Sequence, residues 1–224
     1  MEPKLIENKK AKYRKMIVFV TPFASYWEGM KDLLVLLGKK KEAIEIERIY
    51  QKRKLLGPWV KGIEKTVENL QNNTLDRLTD ATLYYCKRKL LKGIREFSQE
   101  LSEQNFLVGA ITSDPQFMMD VVKKEARLDF AYGTKTEFES KIATGNVLKN
   151  LDRYDKAELV EKKAKEFDIP KEKIVIMGEA SIVHLPIAEK SHIFIGFDPV
   201  KDDLIKAIRK NKKLSSIFQK KGKE

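Results

Sequence analysis

Short apolar runs of β-strand length alternate along this chain with stretches whose apolar residues recur at helical spacing. The apolar runs lie at residues 16–20, 106–111, 173–177 and 192–197. Strands separated by helical patterns are typical of an α/β fold with a parallel sheet. The stretch FESKIATGNV also predicts a β-hairpin, with its turn at Thr144-Gly145-Asn146.

The stretch between the first two apolar runs, residues 28–104, contains no convincing strand. Its apolar residues recur at helical spacing, and Gly-Pro and Asn-Asn pairs interrupt the pattern. A helical block of this length between two strands predicts an insertion, or cap, on an α/β core. We therefore expect a core formed by 1–27 and 91–208, with a helical cap over 28–90.

The positive charge of the chain is concentrated at its two ends. The 224 residues include 45 Lys and Arg against 33 Asp and Glu, a net charge of +12. Residues 1–15 hold six positive and two negative side chains, and residues 209–224 hold seven positive and one negative. The nearly neutral body excludes a uniformly basic nucleic-acid-binding surface. We expect the basic segment 209–224 to be a disordered tail.

Few residues are present that could form disulfides or zinc sites. Cys86 is the only cysteine, and His184 and His192 are the only histidines. This excludes an intramolecular disulfide framework, a cysteine-based zinc site and a histidine cluster. The apolar runs are far shorter than the roughly 20 residues that span a membrane. We expect a cytoplasmic protein that has no membrane partner.

Several segments between about residues 90 and 197 carry a family resemblance. They are LLKGIREFSQEL with FLVGAITSD, KTEFESKIATGNV, DKAELVEKKAKEFDIPKEKIVIMGE and HLPIAEKSHIFIGFDP. In this order they resemble the haloacid-dehalogenase-like superfamily, and within it the phosphoserine-phosphatase-like branch. The resemblance implies a Rossmann-like parallel-sheet core with a helical cap inserted after the first strand.

The end of the first strand departs from the family pattern. Phosphatases of this family carry two aspartates there, two residues apart, of which one attacks phosphorus and the other transfers protons. Val20 and Pro22 occupy these positions, and no Asp or Glu lies between Lys15 and Glu28. Neither side chain can act as a nucleophile or a proton carrier. We therefore expect no aspartyl-phosphate chemistry.

The fourth family motif, which supplies metal ligands, is also altered. Here it reads GEASIVHLP, so Glu179 stands for its first aspartate and the second falls on Val183 or His184. Magnesium prefers oxygen ligands, usually with carboxylate charge. With one certain carboxylate, the sequence predicts no required cofactor and only a weak Mg²⁺ site at Glu179.

Two family positions keep their residue type. By the resemblance, Ser113 hydrogen-bonds a phosphate oxygen and Lys156 neutralises the bound phosphate, so both are predicted to bind a small phosphorylated ligand or inorganic anion. Each of the two residues also has an interpretation that involves no ligand. Ser113 also suits a turn or a helix cap, and Lys156 also suits an exposed position in a helix rich in Lys and Glu.

Three functional hypotheses follow. The first is a catalytically degenerate phosphoserine-phosphatase-like protein that still binds an anion. The alternative is an active Mg²⁺-dependent phosphomonoesterase, a hydrolase whose missing carboxylates come from Glu179, Asp114 or Glu28. A second alternative is a binding module whose basic termini contact nucleic acid or an acidic protein.

Overall fold

A computed structural model gives the fold of the chain. It describes residues 13–20, 29–50, 56–90, 93–179, 182–197 and 215–218. The chain divides into two compact units. The first unit comprises Met1–Thr21, Glu96–Ile111 and Arg153–Glu224, and the second comprises Pro22–Arg95 and Thr112–Asp152. The core and cap boundaries expected from the sequence remain a prediction.

The described residues form strands and helices in the following order. The strands are β1 (Lys15–Phe19), β2 (Phe106–Pro115), β3 (Phe130–Glu139), β4 (Ile142–Lys149), β5 (Ile174–Glu179), β6 (Ile193–Phe197) and β7 (Ser215–Phe218). The α-helices are α1 (Gly29–Leu36), α2 (Lys40–Tyr50), α3 (Leu56–Glu68), α4 (Leu75–Lys89), α5 (Ile94–Glu103), α6 (Gln116–Glu125), α7 (Arg153–Glu166) and α8 (Leu185–Ala188).

The strands are mostly parallel, in the order β4-β3-β2-β1-β5-β6-β7. β1 lies between β2 and β5 and is parallel to both, with Val18 opposite Gly109 and Ile176. β6 is parallel to β5 and β7, whereas β3 and β4 are antiparallel. Four consecutive residues of β1, Met16 to Phe19, are buried, so both faces of the sheet are covered at this central strand. Such burial explains the nearly continuous apolar run of β1, and the mostly parallel sheet with its helices confirms the predicted α/β fold class.

The described part of the long stretch after β1 is helical, as its periodicity predicts. Helices α1 to α4 belong to the second unit, where they bury a core that includes Leu33, Leu34, Ile63 and Leu78. α4 begins at the N-cap residue Thr74, whose hydroxyl accepts a hydrogen bond from a backbone N–H of the first turn. Whether this helical block functions as a cap remains a prediction.

The hairpin is present, but its predicted turn position is wrong. The chain reverses at Ser140-Lys141, where both residues have positive φ, and Thr144-Gly145-Asn146 lies inside β4. Two left-handed residues suit the twist of a two-residue hairpin turn, a conformation that glycine adopts more readily than other residues. Gly145 instead has positive φ where β4 passes Gln71. The glycine therefore marks a close approach and not the turn.

The C-terminal region differs in part from the expected disordered tail. Residues 215–218, inside the predicted tail 209–224, form β7 and pair with β6. A helix predicted to start at Pro199 lies outside the described residues, as do residues 1–12, which carry much of the basic N-terminus. No helix in the described part of the chain is both long enough and apolar enough to cross a bilayer.

Candidate functional site

Val20 lies at the carboxyl end of β1, the edge where ligands bind in open α/β sheets. Its N–H donates to the Met177 carbonyl at 2.9 Å, so Val20 continues the ladder between β1 and β5. The side chain is only 2% exposed. The residue that the resemblance places at the nucleophile position is therefore a buried valine fixed in the sheet.

Gly178 of β5 allows this close packing. A Cβ on Gly178 would collide with Val20 Cγ2 and would lie 3.8 Å from His184 Nδ1. His184 and Val183, in the short 3₁₀ segment before α8, are both buried. Val20 and His184 therefore both pack beside Gly178 at this edge of the first unit. As expected from the sequence, His184 lies at a helix start, where it is the N-cap residue of α8.

The described side chains at this edge do not fit a magnesium site. Val20 and Val183 are apolar and Gly178 has no side chain, whereas Mg²⁺ requires oxygen ligands. Among the described residues, no three His, Cys, Asp or Glu side chains come together. The backbone of Glu179 ends β5, but its side chain lies outside the description, as do Pro22 and Glu28. The weak Mg²⁺ role of Glu179 remains a prediction.

Lys156 lies in the first turn of α7 on its buried face, together with Ala157 and Val160. Its exposed fraction is only 3%. Lysine is almost never buried to this extent without a polar or charged partner, because its ammonium group loses hydration. The interpretation of Lys156 as an ordinary exposed helix residue is therefore wrong. Its anion-binding role remains a prediction.

Ser113 belongs to the second unit, near the end of β2, and is nearly buried. Its hydroxyl donates to the Leu151 carbonyl at 2.9 Å, and the Leu151 N–H donates to Thr134 Oγ1 at 3.3 Å. These bonds tie the end of β2 and strand β3 to the segment after β4. Ser113 does not cap α6, whose N-cap residue is Pro115. Its hydroxyl proton is directed at Leu151, and its phosphate-binding role remains a prediction.

Asp114 is the carboxylate next to Ser113, and it is also buried. Thr112 Oγ1 donates to Asp114 Oδ2 at 2.9 Å and accepts from the Asp114 N–H at 3.1 Å. A Cβ on Gly29 would lie 3.8 Å from Asp114 Oδ1 and 3.6 Å from the Tyr85 hydroxyl. Asp114 thus faces the first residue of α1, where the helix dipole favours negative charge. Its observed contacts serve the packing of the second unit.

Asn150, which follows β4 directly, is a polar residue that sequence reasoning missed. Both its Nδ2 and Oδ1 atoms are buried, and neither has a hydrogen-bond partner among the residues that the structure describes. A buried carboxamide in this state is rare and calls for an explanation such as a ligand or water. No local pattern in the sequence distinguishes Asn150 from an ordinary polar residue at a strand end.

Comparison with known sequences gives a partial match. No protein-family profile matches the chain. It is 30% identical over 115 residues to a phosphoserine phosphatase of Archaeoglobus fulgidus. The match covers 51% of this chain and 33% of that relative, so it spans a third of the relative's length.

Comparison with solved structures covers nearly the whole chain. A phospho-aspartyl intermediate analogue of phosphoserine phosphatase superposes with a TM-score of 0.72 at 21% identity, covering 93% of this chain and 95% of that one. A protein of unknown function from Bordetella pertussis gives the same TM-score at 12% identity, covering 92% and 98%. At such identities the likeness establishes the fold.

Proposed function

We propose that the chain is a phosphoserine-phosphatase-like member of the haloacid-dehalogenase-like superfamily, and that it binds a small phosphorylated ligand or inorganic anion without hydrolysing it. The observation that carries this proposal is Val20. In the family's mechanism the side chain at this position attacks phosphorus with a lone pair, and an isopropyl group has none. The position is also buried against Gly178.

The binding half of the proposal is supported by the burial of Lys156. An ammonium group held away from water favours a nearby negative charge. The family's first-strand aspartates would compete with a bound anion for that charge, and Val20 and Pro22 cannot. The absence of both carboxylates therefore removes the family's catalytic groups and, at the same time, two negative charges that would repel an anion. O-phosphoserine is the first ligand to try, since the sequence relative is a phosphoserine phosphatase.

The test combines a turnover assay with a binding assay. Phosphate release is measured from a panel of phosphomonoesters that includes O-phosphoserine, with and without Mg²⁺. Binding of inorganic phosphate and O-phosphoserine is measured by titration calorimetry. We expect no turnover, together with anion binding that needs no Mg²⁺ and is lost in Lys156→Met, a variant that keeps the length of the side chain without its charge.

A second preparation excludes a contaminating phosphatase. Lys156→Ala is purified and assayed in parallel with the wild type, because a contaminant would act equally in both samples. Mg²⁺-dependent turnover that disappears in Lys156→Ala would contradict the proposal. It would favour the alternative, an active phosphomonoesterase with a rebuilt site, and the next variant would be Glu179→Ala. Absence of both turnover and binding would refute the anion-binding half.

A further inference from the structure

A cavity of about 490 Å³ opens to solvent on the first unit, where α7 ends and β5 begins. Much of its lining is apolar and comes from Ala164, Ile169 and Ile174, which are buried, and from Pro170. Binding sites for small molecules are typically clefts of about 300–1,000 Å³ with an apolar lining and a few polar groups. The cavity therefore has the size and the lining of a small-molecule site.

The cavity lies at the amino end of β5, which starts at Ile174. Val20 packs against Gly178, near the opposite end of the same strand. The four residue steps from Ile174 to Gly178 correspond to about 13 Å of parallel strand. A ligand in this cavity would therefore not occupy the edge of the sheet where Val20 lies.

The walls of the cavity are held by contacts within the first unit. Beyond the end of α7, Asp168 has a positive φ, and the N–H of Ile169 donates to the Ala164 carbonyl at 2.9 Å. On the other side, Lys190 follows α8, and its Nζ forms an ion pair with Glu161 of α7 at 2.8 Å. These contacts connect the segments on either side of the opening.

Charged side chains of both signs accompany the apolar lining. The three basic and three acidic residues are Lys165, Lys171, Lys190, Glu161, Asp168 and Glu189. Lys190 and Glu161 already neutralise each other, whereas Lys165, Lys171 and Glu189 make no ion pair with any residue that the structure describes. A ligand of one sign would meet repulsion as well as attraction here, and a zwitterion can match both signs.

We propose that this cavity binds a free amino acid with an aliphatic side chain, in its zwitterionic form. Its carboxylate accepts hydrogen bonds from the ammonium groups of Lys165 and Lys171, and its own ammonium group donates to the carboxylate of Glu189. Such charge-assisted hydrogen bonds are stronger than neutral ones. The aliphatic side chain covers the apolar lining at Ile169 and Ile174, which removes apolar surface of the ligand from water.

The test titrates the full chain with L-leucine and with two analogues that have the same apolar end, and follows the backbone amides by NMR at about pH 7. 4-Methylpentanoate lacks the ammonium group, and 3-methylbutylamine lacks the carboxylate. We expect a Kd on the order of 1 mM for L-leucine, with shifts at the amides of Ile169, Lys171 and Lys190. Each analogue should bind at least about fivefold more weakly, because it leaves one charge of the cavity unmatched.

Substitutions at the cavity separate the two charged contacts. Glu189→Gln should weaken L-leucine binding at least about fivefold without weakening 4-methylpentanoate, which has no ammonium group to lose a partner. The double variant Lys165→Met/Lys171→Met should weaken L-leucine without weakening 3-methylbutylamine. These residues are exposed, so the Tm of each variant without ligand should stay close to that of the wild type.

Lys162→Met is the matched control, because Lys162 is an exposed lysine of α7 that does not line the cavity. It should leave the affinity for all three compounds unchanged. If it weakens L-leucine as much as the cavity variants do, the effect is one of overall charge and the inference is wrong.

Three other results would overturn the inference. Analogues that bind as tightly as L-leucine would show that the charged groups do not recognise a zwitterion. Shifts confined to amides away from the cavity would place the ligand elsewhere. No shifts with L-leucine at about 10 mM, ten times the expected Kd, would show that the cavity does not bind an amino acid.

Discussion

Gly178→Ala tests the packing that closes the carboxyl end of β1. At a strand position without positive φ, exchanging glycine for alanine ordinarily stabilises a protein by about 0.4–1 kcal/mol, because the unfolded chain loses freedom. Here the new Cβ would collide with Val20 Cγ2. Overpacking of a tight core costs about 1–3 kcal/mol. The clash is the larger effect, so we expect Gly178→Ala to destabilise the first unit.

The double variant makes the prediction specific to Val20. Val20→Ala alone removes two buried methyl groups and should cost roughly 2 kcal/mol. It also vacates the space into which a Cβ at position 178 would project. In the Val20→Ala background, Gly178→Ala should therefore become neutral or stabilising. The two substitutions are then non-additive by about 1–3 kcal/mol, as expected for residues in direct contact.

Urea unfolding followed by circular dichroism measures the free energies of unfolding of the four proteins. Gly57→Ala is a control, because a Cβ on Gly57 in helix α3 meets nothing within 4 Å. Its effect on stability should be the same in both backgrounds, whatever its sign. If Gly178→Ala is equally harmful with and without the Val20 side chain, the strand ends are not packed as described, and Val20 does not close the carboxyl end of β1 against Gly178.

Two further predictions concern titratable groups. Burial, with a smaller contribution from the negative charge of Glu125, raises the pKa of the Cys86 thiol to about 12. Because only the thiolate reacts, a thiol reagent at pH 9 should modify the native chain about a thousandfold more slowly than the urea-unfolded chain. Equal rates would mean that Cys86 is exposed. Hydrogen bonds from Asn146 and Thr144 lower the pKa of Glu137. The ionised carboxylate therefore stabilises the hairpin at pH values above the ordinary carboxyl pKa, and this stabilisation is lost as the pH falls through the lowered pKa. The Tm difference between the wild type and Glu137→Gln should therefore be larger at pH 7 than at pH 3, and a pH-independent difference would contradict the assignment.

The sequence predicted the central strands well because of how parallel strands are buried. β1 and the start of β2 are covered on both faces, and β5 and β6 have one buried and one half-buried face, so all four are mostly apolar and stand out from the Lys- and Glu-rich remainder. The strand β7 escaped prediction for the opposite reason. It has four residues, two of them serine, and it lies within a segment dominated by charge.

The site was harder to predict because burial depends on distant residues. Lys156 lies in a local pattern of alternating charges that suits an exposed helix, and only the fold reveals that it is buried. The unsatisfied Asn150 amide likewise depends on which groups surround it in three dimensions. Val20 differs, because its identity alone excludes nucleophilic chemistry in any environment. Missing functional groups can be recognised from sequence, whereas the environment of those that remain cannot.

The packing of Val20 against Gly178 also bears on what a carboxylate would experience at the end of β1. An aspartate placed at position 20 alone would enter a site that is 2% exposed, beside Gly178. Its charged form would be poorly hydrated there, and its partner position, Pro22, would still be unable to transfer a proton. On the proposed function, Val20→Asp alone should therefore lower stability and give no phosphatase activity.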